Sequence, residues 1–303
     1  MKNKKTVMAI MIAVLTIICI AICVLAYNRR KEIDANNRLN VVTSFYPVYI
    51  ATLNIADNVP GVKVTNLSKP ETGCLHDYQL SSDDAKLLAN ADILLVNGGG
   101  MESFLDTKKF AKKYPNLKVI SIDENLPKEE LDEDNAHYWM NLDFYQIYSQ
   151  KIAIALADCD SEYSLEYMEN YHGYSNKIDA LIKKAKTIEA AANGKGVILL
   201  HEAFVYLADE LDMKTEMILD LDDGAEVSAS DLSKACKLIE EGKVSYIIGD
   251  STYGSAIAKT IEDETGLHTI FIDPLTTGEY DRNAYLNGMK ANLEILKVNL
   301  RQR

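Results

Sequence analysis

The sequence is short of positive charge and of cysteine, and it lacks several catalytic words; each shortage removes a class of function. Lys and Arg number 32 against 45 Asp and Glu, giving a formal net charge of -13 with the five His counted as neutral. Binding to nucleic acid needs a basic surface that neutralises phosphates, so this balance excludes a nucleic-acid partner. Of five cysteines, Cys19 and Cys23 fall in an apolar N-terminal run, and Cys74, Cys159 and Cys236 are too few and too scattered for a disulfide framework. A chain of 303 residues can bury enough core without one. There is no HExxH word, the helical zinc signature of metalloproteases, and Gly98-Gly99-Gly100 is not followed by the Lys-Ser or Lys-Thr of a phosphate loop. No close repeat relates the two halves of the chain.

What is present begins with an export signal. Lys2, Lys4 and Lys5 precede a continuous apolar run from Val7 to Tyr27, and Arg29, Arg30 and Lys31 follow it. A helix needs about 20 apolar residues to cross a bilayer. Three readings stay open: a signal peptide cleaved after Ala26, an uncleaved membrane anchor, and a lipoprotein modified at Cys23 or Cys19. Ile22 and Ile18 weigh against the third, because a small residue is expected before a lipidated cysteine. All three place the rest of the chain outside the cytoplasm, at the cell surface. The expected organisation is a signal or anchor over 1–27, a polar tether over 28–38 and an ectodomain beyond.

From residue 39 onward, short apolar runs alternate with helical patterns. Strands are expected at 40–44, 62–67, 93–96 and 118–122, with helices between them. After an acidic, Pro-containing loop at 123–135, helical periodicity runs from 141 to 158 and again from 162 to 192, too long for an ordinary crossover helix. The alternation then restarts with strands at 196–200, 244–248 and 268–272. The pattern predicts an α/β protein of two lobes, 39–160 and 194–303, each with a mostly parallel sheet flanked by helices, joined by one long rigid helix over 161–193.

Open α/β sheets present ligand groups just beyond the carboxyl ends of their strands. His201, Asp250 and Asp273 each follow a predicted strand of the second half; His76 and His137 lie in loops of the first. Three imidazoles and a carboxylate suffice for a tetrahedral metal site. Spread over the whole chain, these residues carry little weight by spacing alone, since a histidine is also a common polar core residue.

The words around them say more. TSFYPVYIATLNIA, GCLHDYQLSSDDAKLLANADILLVNGGGMESFLD, AHYWMN, LLHEAFVYLADELDM and FIDPLTTG occur in an order that resembles the zinc/manganese solute-binding proteins of ABC importers, over residues 39–303. The resemblance implies two α/β lobes on a backbone helix with a metal ion in the cleft between them. It implies His76, His137, His201 and Asp273 as ligands, with Asp250 near them as a supporting or alternate ligand. Delivery to the importer's membrane permease by a monomeric, membrane-tethered protein follows from the same likeness. Histidine at 201, where manganese-type members tend to carry Glu, points to Zn²⁺ over Mn²⁺, because oxygen ligands suit Mn²⁺ better.

Two departures stand out. Ala136 takes the place of the usual Pro, and residues 123–135 carry no histidine where many zinc-type members have a His-rich loop. Cys74, two residues before His76, is a conceivable thiolate ligand, although the family words have no cysteine there. His172 and His268 are expected on the surface. A metallohydrolase would need an open coordination position and a base, for which only Glu202 offers itself. A surface adhesin also fits a tethered ectodomain.

Overall fold

Ile93-Leu94-Leu95-Val96 contains no polar residue, as a strand covered on both faces requires. All four side chains are buried in the computed structural model, which describes residues 11–27 and 39–300 apart from 76–77, 133–134, 220, 222–226 and 253. Residues 11–27 form an exposed helix, α1; residues 1–10 and 28–38 lie outside the described residues, and with them part of the apolar run and the tether. Among the described residues, no helix is long and apolar enough to cross a membrane.

The first lobe runs β1 (Leu39–Thr43), α2 (Tyr46–Ile55), β2 (Val62–Asn66), α3 (Ser82–Ala89), β3 (Ile93–Val96), α4 (Thr107–Lys113) and β4 (Lys118–Ser121). Its four strands are parallel in the order β2-β1-β3-β4, with Val41 level with both Val64 and Ile93. Ser81 caps α3 through a capping box with Asp84, as the Ser-x-x-Asp spacing requires. Two long helices follow, α5 (Leu142–Cys159) and the 29-residue α6 (Ser164–Ala192).

The second lobe runs β5 (Gly196–Leu199), α7 (Val205–Glu210), β6 (Lys214–Ile218), α8 (Ala229–Glu240), β7 (Tyr246–Gly249), α9 (Ser255–Thr265), β8 (Thr269–Phe271) and α10 (Ala284–Leu300). Its strands are also parallel, in the equivalent order β6-β5-β7-β8. The strand order reverses between β5 and β7 in this lobe and between β1 and β3 in the other, and that is where an open sheet leaves a crevice beyond its strand ends.

Two details differ from the sequence expectation. Strand β6 was not anticipated: Lys-Thr-Glu-Met-Ile is half polar, and it occupies a sheet edge where Ile218 is exposed. The helix expected from Glu202 begins as a single 3-10 turn over Glu202–Phe204 before α7.

One apolar core spans both lobes. Val41, Ile93 and Leu95 of the first sheet belong to the same buried cluster as Val197, Leu199 and Ile248 of the second, through α2, α5, α6 and α10. At its centre Tyr145 of α5 stacks on Tyr285 of α10 with ring centroids 3.7 Å apart. Both are fully buried, and both hydroxyls donate to carbonyl oxygens, Tyr145 to Pro47 and Tyr285 to Trp139. Such aromatic pairs contribute about 0.5–1.5 kcal/mol beyond their area.

Glu210, at the end of α7, crosses the lobe boundary to accept a hydrogen bond from the Leu142 N–H at the start of α5, 2.7 Å away. An anion there suits the helix N-terminus, yet burial dominates and pushes the Glu210 carboxyl up to about 7. A carboxyl raised above its unfolded value adds stability that is complete below about pH 4.5 and is lost as pH rises through 7. Glu210→Gln, whose amide oxygen can keep the Leu142 bond, should therefore raise stability at pH 8 by on the order of 3 kcal/mol, a gain that vanishes at pH 4.5. Urea unfolding at the two pH values checks it; a variant less stable than the parent at pH 8 would contradict it.

Candidate metal centre

The cleft between the lobes is lined on one side by the carboxyl ends of β5, β7 and β8, and the strand ends place their next residues there. His201 lies two residues beyond β5, Asp250 directly follows β7 and Asp273 lies two residues beyond β8. All three line one cavity of about 810 Å³, and Gly73 and Cys74 of the first lobe line its other wall.

His137 sits deeper, fully buried, and its ring meets that of His201 edge-on at 5.3 Å between centroids. His201 is 2% exposed. Cys74 completes the group: its Sγ lies 3.4 Å from His137 Nε2, and one ligand atom from each of Cys74, His137 and His201 lies within 4.8 Å of the others. Asp273 faces the same cavity without belonging to that tight group, and Asp250 stands beside it. His76 lies outside the described residues, two positions after Cys74. His172 is exposed on α6, and His268 is exposed in an ion pair with Glu262.

The orientation of His137 is set from behind. Asn135 Oδ1 accepts from the backbone N–H of His137 at 3.0 Å, an Asx turn, and lies 2.9 Å from His137 Nδ1. The Asn135 amide nitrogen donates to the Glu202 carbonyl of the other lobe, which fixes which end of the amide is oxygen. Nδ1 therefore carries the proton, and Nε2 turns its lone pair toward Cys74 and His201. The Glu202 carboxylate, 3.5 Å from Nδ1, reinforces that tautomer. Glu202 thus sits behind a ligand-type histidine, away from the position of a hydrolytic base facing the cavity.

The loop before His137 is held by the first sheet. Asn97, directly after β3, donates to the Ala136 carbonyl at 2.9 Å and accepts from the Tyr148 hydroxyl. Gly98 and Gly99 both have positive φ, and a Cβ on Gly99 would overlap the Tyr138 hydroxyl. The glycine run is there so that the 136–138 segment can pack closely against the strand end. Residues of the acidic loop also reach the second lobe: Tyr206 donates to the Asn135 carbonyl and accepts from the Asp132 N–H.

Across the cleft the 273–283 loop is fastened to the first lobe. Trp139 Nε1 donates to the Pro274 carbonyl at 2.8 Å, Tyr46 to Glu279 O at 3.0 Å, and Tyr280 to Ser68 O at 2.7 Å. Asn292 of α10 brackets Asp273 by accepting from its N–H and donating to its carbonyl. Burial raises the Asp273 carboxyl above its usual range; the Leu275 N–H opposes this and the neighbouring Asp250 charge adds to it. The same cleft holds the Tyr46 phenol up to about 12, first by burial and then by the Asp273 charge. A cation beside Asp273 would offset both its burial and the charge of Asp250.

The site-supporting residues that sequence reading passed over are Asn135 and Asn97, and Glu202, weighed there only as a possible base, stands behind His137 instead. Only Asn135 carried a readable signal, an Asn two residues before a candidate ligand.

Residues 41–298 match the family described as zinc-uptake complex component A, periplasmic. The chain is 28% identical over 305 aligned residues to the zinc-binding lipoprotein AdcA of Streptococcus pneumoniae, covering 91% of this chain and 58% of that protein, so it spans little more than half of that relative's length. It is 23% identical to the manganese ABC transporter substrate-binding lipoprotein PsaA of Streptococcus mitis, covering 97% of each. The solute-binding protein FpvC of Pseudomonas aeruginosa, solved with Ni²⁺, superposes with a TM-score of 0.77 at 22% identity, over 88% of this chain and 97% of that one, and so shares its fold.

The packing of Gly99 yields a direct test. Gly99→Ala should cost about 2–3 kcal/mol of stability, from the left-handed backbone and the Tyr138 overlap together. Gly100→Ala, left-handed as well but with open space at its Cβ, should cost only about 1–2 kcal/mol. Chemical denaturation of the two variants checks the order, and equal losses would contradict the close approach.

Proposed function

We propose, from the premise that the chain belongs to the zinc-uptake component A family, that it is the extracytoplasmic, membrane-tethered solute-binding protein of an ABC importer and that its cargo is Zn²⁺. The observation that carries this reading is the meeting of two buried imidazoles, His137 from one lobe and His201 from the other, at the edge of the cleft. Two such rings held with their nitrogens converging suit a borderline metal ion far better than an organic solute.

In this reading His76, His137, His201 and Asp273 are the ligands, and Asp250 supports Asp273 or exchanges with it. The lobes over 39–160 and 194–303 present them, and the helix over 161–193 keeps the two apart at a fixed distance. Three imidazoles with one carboxylate favour Zn²⁺ over Mn²⁺ on ligand softness and on the general affinity order. His137, Nδ1-protonated and backed by Asn135 and Glu202, is prepared for metal through Nε2. Metal binding draws His76 and His137 toward His201 and Asp273 and shifts the population to a closed state. The loaded form is the one that the importer's permease engages. The N-terminal segment, which keeps the protein at the membrane, serves as signal or anchor; relatives such as AdcA and PsaA are named lipoproteins.

Calorimetric titration of the full chain with Zn²⁺ and Mn²⁺ tests the assignment. One Zn²⁺ per chain, bound much more tightly than Mn²⁺ and lost in His201→Ala, is the expected result. A preference for Mn²⁺ would move the protein to the manganese branch, and no binding of either ion would undo the reading. Because imidazoles must be deprotonated to ligate, affinity should fall steeply between pH 7.5 and about 5; a flat profile would contradict histidine ligation.

A further inference from the structure

We propose that Cys74 is a metal ligand of this chain, adding a sulfur donor to the imidazoles and making the site thiophilic; this step rests on the reading of the cleft as a metal site. The geometry is that of two ligands on one ion. Bonds of about 2.3 Å to sulfur and about 2.0–2.1 Å to imidazole nitrogen, meeting at about 100–110°, put the two donor atoms about 3.3–3.6 Å apart. Cys74 Sγ and His137 Nε2 are 3.4 Å apart, with the lone pair of Nε2 directed at the sulfur by the Asn135 contact on Nδ1. His201 contributes a ring nitrogen within 4.8 Å of both.

The backbone supports the placement. Gly73, at φ +77°, turns the chain so that Cys74 enters the cleft wall. The adjoining Leu75 is fully buried, and its N–H donates to Met101 Sδ at 3.5 Å, which pins the segment against the first-lobe core. Charge agrees as well. A thiolate and the Asp273 carboxylate together neutralise a dication, which three imidazoles and one carboxylate do not. A sulfur donor strengthens the hold on Zn²⁺ and does little for Mn²⁺, so Cys74 sets specificity in the direction that His201 already favours.

Cobalt substitution reads the bond. The full chain loaded with one Co²⁺ should show near-ultraviolet thiolate-to-cobalt charge-transfer absorption. Cys74→Ser should lose that band, keep the visible cobalt absorption, and bind Zn²⁺ about tenfold or more weakly with little change toward Mn²⁺. If the parent binds Co²⁺ in a His201-dependent way and shows no charge-transfer band, Cys74 is not a ligand and the metal site stands without it. A band that persists in Cys74→Ser assigns the sulfur to another cysteine and overturns the proposal. No bound Co²⁺ in the parent removes the metal reading and this inference with it. Alkylation of the unmutated chain gives an independent answer. Zn²⁺ should protect Cys74 from iodoacetamide and leave the labelling of Cys236 unchanged, as peptide mass spectrometry would show; equal labelling of Cys74 with and without Zn²⁺ overturns the inference.

Discussion

A buried imidazole stabilises nothing unless its nitrogens are directed, because an ill-directed ring loses its water without replacement. His137 has no exposed surface, and its direction comes from Asn135, which is itself held by the backbone of Glu202 in the opposite lobe. That chain of three residues is what the rest of the site depends on. It fixes the tautomer, faces Nε2 toward Cys74 and His201, and ties the ligand geometry to the contact between the lobes. Asn97 supports the same segment from the first sheet, so the end of one strand and the loop of the other lobe hold His137 from two sides.

The shared core makes this arrangement stiff. Trp139, Tyr145 and Tyr285 lie fully buried where the lobes meet. Exposing three aromatic side chains of about 150–250 Å² each, at about 25 cal/mol per Å², costs on the order of 10 kcal/mol. A wide hinge opening would bear that cost, whereas a rearrangement confined to the cleft wall would not. The fastening of the 273–283 loop through Trp139, Tyr46 and Tyr280 points the same way.

The parallel strands were legible because runs such as Ile93–Val96 and Gly196–Leu199 are too apolar to be anything but doubly covered. The long helix α6 was legible from its length without proline. Strand β6 was not, since an edge strand needs no continuous apolar face and Lys214 and Glu216 disguise it. Of the candidate site, His201, Asp250 and Asp273 were readable as strand-end residues, and His137 by its neighbours in the sequence. Cys74 was readable as a conceivable ligand from its place two residues before His76, but its contact with His137, 63 residues away, was not, because that closeness is a product of tertiary packing alone. Nor was that of Glu202, which local sequence makes a helix-start acid and the fold turns toward Nδ1 of His137.

Anomalous diffraction at the zinc edge from crystals of the Zn²⁺-loaded chain tests the central claim most directly. The account predicts one strong peak at the lobe boundary, within bonding distance of both His137 Nε2 and a ring nitrogen of His201. A peak elsewhere, with those two rings unchanged and metal-free, would contradict it.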